Sequence, residues 1–260
     1  MKVQVRVSGW SSPQALKVFQ SFGIAIPESG YFGLWMDEDD PNLPAALRWM
    51  KVGASSPMVR TVFTRAETDA ADWLEMVPKG HWTYPQPEVG YRDITYDSSA
   101  RCELCGVGKV QVAPFRVNRE PNWAGRKLRQ LNWVFDEYFT SPELALGVFA
   151  DFGIRSREVL AAKDRIRPSI VQLDIREVVD VDVTSTDFET CTTCAAPKYS
   201  AVSRGFRPGP VVLPAAHLVR SRQNFGGGPS SFNSILVSQE LRAALVAAGA
   251  SGVDFLPCAR

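Results

Sequence analysis

Cys102-Glu103-Leu104-Cys105 and Cys191-Thr192-Thr193-Cys194 form two CxxC pairs, the residues of this chain whose types and spacing carry a recognisable chemistry. Two residues between cysteines let both sulfurs face one point. Two such pairs supply the four thiolates of a tetrahedral structural zinc site. Gly106 follows the first pair and can take the positive φ needed where a backbone curls around a metal. Spacing alone leaves disulfides and redox cycling open. A redox CxxC usually opens a helix after a strand, where the helix dipole lowers the thiol pKa. Neither pair here precedes an amphipathic helical pattern. The expectation is therefore one structural Zn2+ held by Cys102, Cys105, Cys191 and Cys194. Compact zinc ribbons place their pairs about 15–20 residues apart. Here 85 residues separate Cys105 from Cys191, so a substantial segment must loop out and return. Cys258 is left over and reads as an inert, partly buried thiol, because sites of this type close at four ligands.

The elements around the cysteines follow from hydropathy and turn chemistry. Residues 109–112 read as a strand, so the first pair is expected in a knuckle between two strands. Alternating and continuous β-branched stretches over 170–175 and 178–183 read as strands delivering the chain to Cys191. Further out, Val3, Val5 and Val7 alternate with polar residues as in a half-buried strand. Ser12-Pro13 opens a helix to about Phe22, with serine as N-cap and proline at N1. A helix over Pro44–Met50, a strand over Met58–Arg65 and a helix over 69–77 are expected next. Three prolines and a glycine break the chain over 78–87, and a soft division is placed near residue 90. Ser141-Pro142-Glu143-Leu144 and Ser238-Gln239-Glu240-Leu241 each open a helix, stopped by Gly153 and Gly249. Helices and strands mix without βαβ alternation, so the fold class is α+β, a mixed sheet and helices with an embedded zinc-ribbon-like four-cysteine knuckle. The two regions expected are 1–90 and 91–260, with a single domain as the alternative.

Other candidate groups carry less. Gly226-Gly227-Gly228 matches neither the GxGxxG nor the GxxxxGK[ST] phosphate-binding pattern and reads as a flexible loop. His81 and His217 are the two histidines, and a nucleophile pair with Cys258 lacks an identifiable third member. Asp37, Glu38, Asp39 and Asp40 form an acidic loop without the spacing of an EF-hand. It is a candidate docking patch for a basic partner. Arg116, Arg119, Arg126, Lys127 and Arg129 alternate with Phe115, Trp123 and Trp133, the combination used by single-strand nucleic-acid binders.

The bulk numbers limit the function classes. The chain has 260 residues, a net charge of +1, 45% hydrophobic and 22% charged residues. There is no global electrostatic case for nucleic acid or an anionic membrane. No apolar run approaches the roughly 20 residues that span a bilayer. The N-terminal alternation is not a signal peptide. A reducing cytoplasm is the expected compartment, where paired thiols bind metal more readily than they oxidise.

Two CxxC pairs, the first followed by glycine, together with Tyr138–Leu144, Val237–Leu241 and Gly252–Pro257, resemble the bacterial double-CxxCG motif proteins over residues 90–260. Some members of that family are associated with immunity to swarming-inhibition toxins of neighbouring cells. The second pair departs from the pattern, being followed by Ala195. The resemblance implies a cytoplasmic, non-catalytic immunity protein whose partner is a protein toxin. The alternative is a zinc-ribbon regulator that binds nucleic acid. No catalytic constellation is legible, which agrees with a protein that works by binding.

Overall fold

The computed structural model of the protein describes residues 1–51, 57–123 and 125–260. The chain forms two compact units, Met1–Glu67 with Val202–Gly205, and Thr68–Ala201 with Phe206–Arg260. The class is α+β.

In the first unit, β1 (Lys2–Trp10) is the central strand of an antiparallel sheet. It lies between β2 (Tyr31–Asp37) and β3 (Met58–Val62). The alternation expected from the sequence places Val5 and Val7 in the core. Helix α1 (Pro13–Ser21) starts as anticipated: Ser12 Oγ accepts from the Ala15 amide, and proline sits in the first turn. Helix α2 (Leu43–Lys51) buries Leu43, Ala46 and Met50, residues spaced to fall on one helical face. Between helices and sheet, Phe19 meets Phe32 and Trp49 edge-on, with ring centroids 5.3 and 5.1 Å away. Fully burying a side chain of this size contributes roughly 1.5–3 kcal/mol. Phe19 is thus a main anchor of this small core.

The expected helix over 69–77 is replaced. Helix α3 (Arg65–Ala70) ends early, and β4 (Trp73–Pro78) follows as a strand. Ala70, Leu74 and Val77 sit at helical spacing, which misleads a local reading. The tertiary environment overrides it: β4 lies between two strands of the largest sheet and buries Trp73, Leu74 and Met76. The first stretch of the first unit ends at Glu67.

The second unit continues with α4 (Tyr91–Thr95), β5 (Tyr96–Asp97), β6 (Val110–Gln111), β7 (Arg116–Val117), β8 (Leu128–Arg129) and β9 (Phe139–Thr140). Then come α5 (Pro142–Gly147), β10 (Arg155–Ala161), β11 (Ile166–Asp174), β12 (Val178–Val179), β13 (Phe188–Thr190) and β14 (Pro197–Tyr199). The chain closes with β15 (Leu218–Phe225), β16 (Phe232–Ser238), α6 (Gln239–Ala247) and β17 (Val253–Pro257). One sheet runs β7-β10-β11-β9-β8. A larger one runs β13-β14-β15-β16-β4-β17, with β12 paired to β15. Both Ser-initiated helices are capped by their serines, Ser141 to the Leu144 amide and Ser238 to the Leu241 amide. The first is shorter than expected. It passes at Val148 into a 3-10 turn, Phe149–Phe152, before Gly153 stops it at φ 70°. Leu144 and Phe149 are buried with Tyr138, Leu173, Leu241 and Leu245 in one cluster.

Candidate metal centre

Each cysteine pair sits at the tip of a two-stranded hairpin. The first lies between β5 and β6, where Tyr96 faces Gln111 and Asp97 faces Val110. This is the setting expected from the strand pattern. The second lies between β13 and β14, where Phe188 faces Tyr199 and Thr190 faces Pro197.

The two tips repeat one hydrogen-bond pattern. The Cys102 amide donates to the Val107 carbonyl at 2.8 Å, and the Gly106 amide donates to the Cys102 carbonyl at 2.8 Å. In the second tip, the Cys191 amide donates to Ala196 O at 3.0 Å and the Ala195 amide to Cys191 O at 2.9 Å. Both residues after the second cysteine are left-handed, Gly106 at φ 79° and Ala195 at φ 57°. The departure from a glycine at 195 is therefore a change of residue at an unchanged backbone conformation.

The four sulfurs meet although 89 positions separate Cys102 from Cys191. Their Sγ atoms are 3.7 Å apart, and those of Cys105 and Cys194 are 3.6 Å apart. All four lie within 4.8 Å of one another. A disulfide would need about 2.05 Å, so the thiols are free. A tetrahedron with Zn–S bonds of about 2.3 Å has edges of about 3.8 Å. Both separations match that edge, so the donor set fits a four-coordinate metal ion.

The surroundings are asymmetric. Cys102 and Cys105 are buried, whereas Cys194 is exposed. Desolvation pushes the Cys105 thiol up to about 12. Backbone N–H groups of Cys194 and Thr193 aim at the Cys191 sulfur and bring its thiol down to about 6, the Thr193 amide at 3.5 Å. A metal must displace the proton that burial retains on Cys105, so metal affinity falls with acidity.

One residue that the spacing did not flag ties the two tips together. Lys198, buried in β14, donates through Nζ to the carbonyls of Cys105 and Ser230, each at 3.4 Å, and to that of Gly228. Its ammonium thus reaches from the second hairpin to the first and to the glycine-rich β15–β16 loop. That loop packs tightly here: a Cβ on Gly106 would lie 2.3 Å from the Pro229 carbonyl oxygen. Pro229 and Ser231, which follow the glycine run, wall the first knuckle. A lone lysine in a short strand has no sequence signature, so nothing local announces it.

The other sequence candidates are placed as follows. Asp37 accepts from Lys2 Nζ and Gln4 Nε2 at 2.9 Å each, Glu38 pairs with Arg204, and Asp40 Oδ1 accepts from the Asn42 amide at 2.8 Å. Glu38 and Asp39 face solvent. In the basic stretch, Arg116 pairs with Asp164 at 2.6 Å and Lys127 donates to Ala248 O at 2.7 Å. Arg119 and Arg129 donate to the carbonyls of Trp82 and Asn122. Trp123 packs on a buried cluster. Most of these cations are spent on internal carbonyls and an ion pair. His217 Nδ1 lies 2.9 Å from Ser238 Oγ, and His81 meets Phe135 edge-on. Cys258 is buried beside Trp73 and Val219, and burial pushes its thiol up, as in an inert cysteine. Among the described residues no helix is long and apolar enough to cross a membrane.

Sequence reading also missed a buried ionic cluster, Asp136, Glu137 and Arg220, beside the first knuckle. Its signal was an acidic pair inside an aromatic segment, Trp133-Val134-Phe135-Asp136-Glu137-Tyr138-Phe139. No family model matches the chain, and no curated protein matches it.

Proposed function

We propose that this chain is a non-catalytic cytoplasmic binding protein, an immunity protein that neutralises a bacterial toxin by stoichiometric occlusion, with zinc as its internal clamp. One observation carries the structural role of the metal: four cysteine sulfurs within 4.8 Å of one another, two of their separations at a tetrahedral edge, supply a full set of four ligands. A catalytic zinc keeps one position open for water or substrate. An all-thiolate set near tetrahedral spacing suits zinc or iron–sulfur chemistry, and a closed four-cysteine set is the common structural zinc site.

The binding role is supported by the resemblance to double-CxxCG proteins and by surface chemistry. Val211, Val212 and Leu213 run consecutively at 63, 76 and 77% exposure. Three large apolar side chains in a row facing water are a common mark of a protein-contacting surface. Solvent-facing Glu38 and Asp39 can steer a basic partner during encounter.

The test has two arms. The purified protein is expected to carry about one equivalent of zinc by elemental analysis. Expressed beside a toxin encoded in the adjacent reading frame, it is expected to protect cells and to co-purify with that toxin one to one. Lysines at Asp37, Glu38, Asp39 and Asp40 are expected to slow association at low salt. Failure to protect, together with turnover of a small molecule, overturns the binding-protein reading. Salt-dependent binding to DNA or RNA favours the regulator instead.

A further inference from the structure

A cavity of about 310 Å³ lies in the second unit between the β5–β6 hairpin, β11 and β15. Gly106 and Gly108 of the first knuckle contribute to its wall, and exposed Val110 and Val178 mark where it meets solvent. Its size falls in the range of small-molecule sites, about 300–1,000 Å³.

The lining is charged but balanced. Asp136 and Glu137 face Arg220: Arg220 Nη2 donates to Glu137 Oε1 at 2.7 Å, and Nη1 lies 3.4 Å from Asp136 Oδ2. Gln172 Nε2 occupies the other Glu137 oxygen at 2.8 Å. Asp174, also lining the cavity, is held by Arg157 at 2.5 Å. With Lys109, the lining counts three anions against three cations. Such a cavity offers no net Coulomb attraction to an anion or a cation, and favours a ligand of zero net charge.

Two buried polar atoms in this lining are unmet. Among the described residues Asp136 Oδ1 has no hydrogen-bond partner, and neither has the Tyr96 hydroxyl. Both residues are more than nine-tenths buried. Asp136 Oδ1 forms an ion pair with Lys109 Nζ at 3.7 Å, a separation beyond hydrogen-bond reach. Lys109 Nζ also lies 5.2 Å from the centre of the Tyr96 ring. A buried carboxylate oxygen without a donor costs about 1–3 kcal/mol or more, so such atoms are normally matched by something. Burial also pushes the Glu137 carboxyl up, a feature common at ligand sites.

The cluster therefore asks for a hydrogen-bond donor at Asp136 Oδ1 and an acceptor at Lys109 Nζ, 3.7 Å from it, with the Tyr96 hydroxyl a further unmet group of the same lining. Donor and acceptor must sit a few ångströms apart in one molecule without net charge. We propose that this cavity binds a free α-amino acid as its zwitterion, the ammonium on Asp136 and the carboxylate between Lys109 and Tyr96. The inference stands apart from the toxin-binding reading and needs only the second unit with its knuckle in place.

The experiment uses the full-length protein as purified. Proteinogenic α-amino acids are added singly at millimolar concentration, and thermal midpoint and calorimetric binding are read. The N-acetylated and carboxamide forms of each amino acid, glycerol and glucose serve as controls. At least one free amino acid is expected to raise the midpoint and bind one to one, and the controls are expected to do neither. Asp136→Asn is expected to weaken binding roughly ten- to hundredfold, the loss of one charge-assisted hydrogen bond. Tyr96→Phe keeps the ring against Phe115 and is expected to weaken binding severalfold, which serves if the Asp136 variant does not fold. No response to any free amino acid overturns the proposal, since the cavity then holds solvent only. Equal responses to blocked amino acids or to the polyols overturn the zwitterion.

Discussion

Gly106 and Ala195 occupy the same position in two knuckles, each donating its amide to the carbonyl of the cysteine four positions earlier. The left-handed conformation costs an L-residue about 1–2 kcal/mol and glycine nothing, while glycine surrenders about 0.5–1 kcal/mol of extra chain entropy. Ala195→Gly is therefore expected to stabilise the protein by about 0.5–1 kcal/mol. The exchange at 106 is not symmetric. Gly106→Ala adds a methyl that meets the Pro229 carbonyl at 2.3 Å as well as the strained φ. It is expected to destabilise by about 2–4 kcal/mol. Denaturant midpoints of the two variants, both zinc-loaded, check the opposite signs.

Removing one ligand separates a structural clamp from an incidental metal. Cys191→Ser is expected to abolish zinc retention and lower the stability of the second unit as a whole, because the site joins segments 89 positions apart. Cys258→Ala is expected to keep the full zinc content and lose only about 1 kcal/mol of packing. Elemental analysis with thermal melts distinguishes the two. Unchanged cooperativity and midpoint in Cys191→Ser would remove the metal from the stability of the fold.

Lys198 places a positive charge where four thiolates around a divalent ion would leave a net charge of −2. Lys198→Met keeps the stem but strands three carbonyls, those of Cys105, Gly228 and Ser230. A loss of about 2–4 kcal/mol is expected. Zinc extraction by a chelator is expected to accelerate, a readout that simple loss of packing elsewhere would not move. Lys198→Arg, restoring charge, is expected to recover part of the extraction rate.

Asp174 supplies a pH signature. Burial alone would raise its carboxyl. The guanidiniums of Arg157 and Arg176 outweigh burial and hold it below the ordinary value of 3.8. A depressed carboxyl contributes stability above its unfolded pKa and loses it as pH falls through the folded one. The wild type is thus expected to exceed Asp174→Asn by about 1–3 kcal/mol at neutral pH. The difference is expected to shrink progressively below pH 3.8, in denaturant titrations at stepped pH.

The legible parts of this molecule are those whose cause is local. Ser12, Ser141 and Ser238 cap the helices they open, because an N-cap acts within three residues. The cysteine pairs were legible because a chelating spacing is short-range, and their meeting could be inferred only because four ligands make one site. The strand β4 was not legible, since its neighbours β16 and β17 lie far along the chain and supply the burial that makes Trp73–Pro78 a strand. Lys198 and the Asp136–Arg220 cluster were hidden for the same reason. A buried charge is defined by partners from other hairpins, and the acidic pair at 136–137 becomes intelligible only once Arg220 stands opposite.

The distance along the chain between the two hairpin tips also sets an order of events during synthesis. Cys102 leaves the ribosome 89 positions ahead of Cys191. At about 5–20 residues per second, the first pair waits roughly 4–18 s for the second. Through that interval two thiols and one wall of a cavity exist without the sulfurs, the lysine or the glycine loop that will enclose them. During that interval the first pair can offer a metal only two of the four sulfurs, and the second hairpin must arrive before the set is complete.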